Sequence, residues 1–103
     1  MKRNILEAAK VIRSKNAGPY ELTFDIMFKN KDFFETFKSQ NIINSALVAR
    51  LLKIEESNIL SLIWFAPANA VKITIKRPIP SGAPGETDIY GAQQHAPLLA
   101  IEF

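Results

Sequence analysis

The sequence predicts an α+β fold: a mainly antiparallel sheet with two helices packed on one face, ferredoxin-like in the broad sense. Three observations predict it. Two well-separated stretches alternate apolar and polar residues with the period of two that marks a half-buried strand. Two capped helical patterns stand side by side between them. Helices grouped between strands, rather than alternating with them, favour an antiparallel sheet covered on one side. At 103 residues, 48 % of them apolar, the chain fits a single domain spanning residues 1–103 with enough apolar surface for a core.

The elements follow in order. Residues 5–12 are ambiguous. Ile5, Ala8, Ala9 and Ile12 fit a helix face, whereas Val11-Ile12 fits a strand, and a strand is favoured. Residues 13–19 read as a loop, with Asn16, Gly18 and Pro19 as turn chemistry. The clearest strand covers residues 21–28: Leu22, Phe24, Ile26 and Phe28 alternate with Thr23, Asp25 and Met27. Asn30 caps a first helix with Asp32 in its first turn and Phe33, Phe34 and Phe37 on one side. Asn44 or Ser45 caps a second helix whose buried stripe is Leu47, Val48, Leu51 and Leu52. Residues 58–66 read as a central strand, apolar on both faces. Pro67-Ala68-Asn69 interrupts it as a hairpin or a bulge, and Val71, Ile73 and Ile75 alternate with Lys72, Thr74 and Lys76 in the next strand. Residues 98–103 read as a last strand.

Composition narrows the chemistry. The chain has no cysteine, which excludes disulfides, thiol catalysis and thiolate metal sites. The basic start, Met1-Lys2-Arg3-Asn4, is not followed by a long apolar run, and the longest apolar stretch, residues 62–68, is too short to span a bilayer. The expectation is a soluble, cytoplasmic protein without a membrane partner. Net charge is +3, distributed unevenly: ten Lys/Arg against five Asp/Glu in residues 1–53, three against five in residues 54–103. That asymmetry suits steering of an anionic ligand or a partner. No basic run exceeds two residues and no RNA-module signature is present, so nucleic acid is not expected as a partner.

Residues 78–97 are the first candidate site. They hold four of the six prolines, three of the four glycines and the only histidine, and a loop of that length in a small domain is usually functional or disordered. Ile89 and Tyr90 favour an ordered loop, with Thr87 or Asp88 capping a short helical turn through Gln94. His95 is the candidate acid/base, with Glu86 and Asp88 placed to orient it or to meet a cation. The amides around Ser81, Gly82 and Gly85 suit an oxyanion, and Gln93 and Gln94 complete the candidate ligand set. Glu86 and Asp88 offer a hard cation too few oxygens, so no metal and no cofactor is expected. Each of these residues has a bland reading as well: a histidine beside proline is commonly a surface residue, and turn carboxylates are commonly solvated. The second candidate is the loop of residues 13–19. Arg13 offers a guanidinium fork for carboxylate or phosphate and Lys15 a point charge, with Ser14 and Asn16 beside them. Arg77 joins them if the sheet brings the loops together.

Three stretches carry a resemblance: residues 13–19 running into Leu22-Thr23-Phe24-Asp25; Pro78-x-Pro80-Ser81-Gly82-x-Pro84-Gly85-x-Thr87-Asp88; and residues 90–99, Tyr90-Gly91-Ala92-Gln93-Gln94-His95-Ala96-Pro97-Leu98-Leu99. Together they resemble the family known as domain of unknown function 4387, over nearly the whole chain. The chain is similar, more distantly, to the small ferredoxin-fold domain of acyclic-terpene-utilisation (AtuA-type) proteins. There an Arg-Ser-Gly-Asp-Lys-Gly-Asp-like loop follows the first strand. Here Lys15-Asn16 replaces the Gly-Asp portion, so only Arg13 and Ser14 carry over. The resemblance implies a separate small subunit beside a larger AtuA-type partner, acting on an organic acid or acyl thioester. The alternative is a self-sufficient homo-oligomer that binds a small anion or works as a minimal acid/base enzyme through His95.

Overall fold

A computed structural model describes residues 3–18, 20–76 and 96–103. Four antiparallel strands form one sheet: β1 (Ala9–Gly18), β2 (Glu21–Phe28), β3 (Ile59–Phe65) and β4 (Ala70–Lys76). Their order across the sheet is β1-β2-β4-β3. Helices α1 (Lys31–Ser39) and α2 (Ser45–Leu52) lie between β2 and β3 in the chain and supply core residues to one face. The α+β expectation therefore holds.

Local chemistry explains the elements that were legible. β2 occupies residues 21–28 as expected, with Leu22, Phe24, Ile26 and Phe28 all buried. The Asn30 side chain accepts from the Phe33 amide at 2.9 Å, and the Asn44 side chain accepts from the Leu47 amide at 2.9 Å. Each cap satisfies an amide that has no partner inside its own helix. Phe34 and Phe37 of α1 and Val48 of α2 are buried against the strands. Replacing Asn30 with Ala is expected to cost about 1 kcal/mol. Urea denaturation measures it, and a helix that loses no stability would show that the packed face of α1 alone sets its start.

Four expectations are corrected. Residues 5–12 are not one strand: Ile5–Glu7 is a 3-10 turn, and β1 begins at Ala9. Asn4 caps that turn in a reciprocal capping box with Glu7, which satisfies two amides a strand would have paired otherwise. The loop expected over residues 13–19 is strand through Gly18: residues 13–18 are the second half of β1, paired through Arg13↔Asp25, Ser14↔Phe24, Lys15↔Thr23, Asn16↔Leu22 and Gly18↔Glu21. The eight residues of β2 pair along nearly the whole of the ten-residue β1, and that tertiary pairing outweighs the turn preference of Asn16. The chain reverses only after Gly18, whose φ of 144° is one that a side-chain-bearing residue rarely adopts.

The third correction concerns β3. It is an edge strand, not a central one. Its inner face packs Ile59, Leu62 and Trp64 on the core, while Ile63 and Phe65 lie 54 % and 53 % exposed on the other face. Apolar residues on both faces usually mean cover on both faces; among the described residues this strand has cover on one. The interruption after it is a hairpin, turned by a 3-10 turn, Ala66–Ala68, and by Asn69 at φ 49°.

The fourth is the end of the chain. Residues 98–103 do not form a strand: Ala96–Ala100 is a 3-10 turn, and only Glu102 bridges to Asn4. With three residues per turn, Leu98 and Ile101 come to the same side, and both are buried. Ile5 donates to the Ile101 carbonyl, and Arg3 and Phe103 exchange backbone hydrogen bonds, all at 2.8 Å. The Arg3 guanidinium sits 4.9 Å from the Phe103 ring centroid and 5.4 Å from that of Phe33, within cation–π range.

Candidate functional site

The strand register divides the sheet into two faces. On the helix side the rows across the strands are Ile12, Ile26, Val71, Trp64 and Ser14, Phe24, Ile73, Leu62. On the opposite side they read Val11, Met27, Ala70, Phe65, then Arg13, Asp25, Lys72, Ile63, then Lys15, Thr23, Thr74, Ser61. No described helix covers this second face. It is banded: an apolar row, a charged row and a polar row lie side by side.

The pleat of β1 separates residues that the sequence placed in one candidate cluster. Arg13 and Lys15 point to the open face, while Ser14 and Asn16 share rows with the core residues Phe24 and Leu22. Ser14 is buried. An α-carbon spacing of one residue along a strand inverts the side chain, so Arg13 and Ser14 do not converge on one point. The remaining candidates (Ser81, Gly82, Gly85, Glu86, Asp88, Gln93, Gln94 and His95, with Arg77) lie outside the described residues.

What joins Arg13 and Lys15 was not named as a site by its sequence. A shallow cleft of about 430 Å³ is lined by Arg13, Lys15, Asp25, Lys72 and the apolar side chains of Met27, Ile63, Phe65, Ala68 and Ala70. The guanidinium of Arg13 donates through Nε to Asp25 Oδ2 at 3.2 Å. Arg13 is half-exposed and Asp25 mostly covered, so the pair fixes the Arg13 side chain more than it stabilises the fold, at most about 1 kcal/mol. Neither Lys15 nor Lys72 has an ion-pair partner among the described residues. Among the described residues, three cations against one carboxylate leave the cleft positive. The only sequence signal for it was the alternation of charge on β4 and of Asp25 on β2; the register that aligns them is not local.

A second open hollow, about 400 Å³, lies at the start of α2 beside Ile42, Asn44, Leu47 and Arg50. The Asn44 side chain in it is already committed to the helix cap and to the Asn41 carbonyl, which leaves Arg50 as its one charged group among the described residues. Among the described residues no three His, Asp or Glu side chains converge as metal ligands, and no helix is long and apolar enough to cross a membrane.

Comparison with known proteins places the chain by sequence. Residues 5–102 match the family described as Domain of unknown function (DUF4387). No curated protein and no solved structure matches the chain.

Proposed function

The chain belongs to the DUF4387 family, and on that premise we propose that it is an accessory subunit of a two-component enzyme acting on an organic acid or acyl thioester. Its open sheet face docks on a larger AtuA-type partner. The observation that supports this most is the apolar part of the face that no described helix covers. Ile63 and Phe65 stand more than half exposed beside Met27, and Arg13, Lys15 and Lys72 flank them. A contiguous apolar patch with a charged border is the composition of an interaction surface. The partner that fits it has an apolar centre and an acidic rim.

The second reading is a self-sufficient homo-oligomer that binds a small anion. Lys15 and Lys72, which have no ion-pair partner among the described residues, favour its anion-binding part. Two copies meeting through this face would set Arg13, Lys15 and Lys72 against their own duplicates, and that repulsion favours a different partner.

Co-expression with the larger protein followed by size-exclusion chromatography tests the proposal. The two chains are expected to elute together, and Ile63→Lys/Phe65→Lys is expected to separate them with the fold intact by circular dichroism. Separate elution of the wild-type chains across salt concentrations and with ligand present would sink the proposal. So would full retention of the complex by the double variant.

A further inference from the structure

We propose that the cleft on the open face binds an amphipathic organic anion: a carboxylate carried on a hydrocarbon chain. This rests on the same face that is read above as the docking surface, and it names the kind of molecule that face would hold at the joint between subunits.

The banding of the face carries the argument. The row Val11, Met27, Ala70, Phe65 runs across all four strands without a polar side chain, and the row beside it carries Arg13, Asp25 and Lys72. Three strand spacings of about 4.8 Å put the two edges of this band roughly 14 Å apart. An extended chain of moderate length fits along the apolar row with its anionic end turned to the neighbouring cations.

Other ligand classes fit less well. A neutral apolar molecule would lie against Lys72 and Lys15 and shield charges that have no partner among the described residues. A compact anion such as phosphate has no amide cradle here. The backbone groups of β2 and β4 are engaged in the sheet ladders on both sides, so anion recognition falls to side chains alone. Most of the lining, Met27, Ile63, Phe65, Ala68 and Ala70, offers such an ion nothing. The volume, about 430 Å³, is that of a small-molecule site.

Asp25 sets the sign of a diagnostic response. It occupies one side of Arg13 and places the only carboxylate that lines the cleft among the described residues beside the bound anion. Its removal therefore frees the Arg13 fork and deletes a like charge.

Octanoate titrated into the isolated chain, followed by amide chemical shifts, is the test; octanol and acetate are the controls. Octanoate is expected to shift the amides of residues 11–15, 25–27 and 63–72, and to bind more tightly than either control. Lys15→Gln/Lys72→Gln is expected to weaken octanoate by about tenfold, the sum of two exposed charge interactions. Asp25→Asn is expected to tighten it, an outcome that a merely structural role for Asp25 does not produce. Binding of octanol as tight as that of octanoate overturns the anion, and binding of acetate as tight overturns the chain. Shifts confined to the hollow at the start of α2, or an affinity unchanged in Lys15→Gln/Lys72→Gln, overturn the site. Because the titration uses the chain alone and docking is read by co-elution, a failed ligand with an intact complex leaves the docking proposal standing. The reverse result leaves the ligand standing.

Discussion

Phe28→Ala is expected to destabilise the protein by about 3–5 kcal/mol, the usual cost of emptying a buried aromatic site. Phe28 is 1 % exposed at the end of β2. Its ring centroid lies 4.6 Å from that of Phe37 and 6.4 Å from that of Phe34, both on α1, and 6.5 Å from the indole of Trp64 on β3. One side chain thus joins a central strand, a helix and an edge strand. Phe34 and Trp64 also meet edge to face at 5.7 Å, so the hole cannot close without breaking a second aromatic contact. Small domains hold only about 5–15 kcal/mol in total. At roughly 4–8 °C per kcal/mol for a chain of this size, the melting temperature should fall by some 12 °C at the least. Thermal and urea denaturation measure both quantities. A loss below 1 kcal/mol would mean that the aromatic cluster repacks freely and is not the anchor described here.

The second large effect is expected at Leu98. It is fully buried in the 3-10 turn Ala96–Ala100, and it joins Ile5 and Ile101 in the core. Leu98→Ala should cost about 2–5 kcal/mol. The loss should also spread in a particular direction. The turn packs beside α2 and beside the 3-10 turn Ile5–Glu7, and Asn4 donates through Nδ2 to the Leu99 carbonyl at 2.9 Å. Loosening Leu98 should therefore release the amides of Arg3, Ile5 and Phe103, which hydrogen-bond between the two ends of the chain. Amide hydrogen exchange reads this. Protection lost at those three amides while β2 and β4 stay protected is the expected pattern. Uniform loss across the sheet would show that the clasp is not a separable unit.

The interest of the open face is that it is built from the same strands as the core. β2 and β4 present Leu22, Phe24, Val71 and Ile73 to the helices and Asp25, Met27 and Lys72 to the other side. Substitutions at the open face can change binding with small effects on the fold, because surface positions away from buried groups usually shift stability by little. Ile63, Phe65, Lys15 and Lys72 are of that kind, and both proposals are testable for that reason.

Much of the fold was legible because its causes are local. The alternation of Leu22, Phe24, Ile26 and Phe28 marks one strand without reference to any other residue. Asn30 and Asn44 announce helix starts because an asparagine side chain reaches an amide three residues ahead. Asn69 before an alternating run marks a turn for an equally local reason. The same locality misled at Asn16 and at residues 98–103, where pairing with β2 and packing of Leu98 and Ile101 outweighed turn and strand preferences. The histidine, carboxylates and glycines of the first candidate site fall in residues 77–95, outside the described residues.

By itself, then, the sequence determined the α+β class, the span of β2, the Asn30 cap of the first helix and the alternating cations of β4, because each follows from neighbours within one turn or one pleat. Only the tertiary structure decided that β3 is an edge and that Arg13 and Lys15 face away from Ser14 and Asn16. It alone aligned Arg13, Asp25, Lys72 and Ile63 in one row. Those outcomes depend on strand order and register. Both are set by which distant apolar faces bury one another, and a shift of a single residue would have turned every one of those side chains to the opposite face.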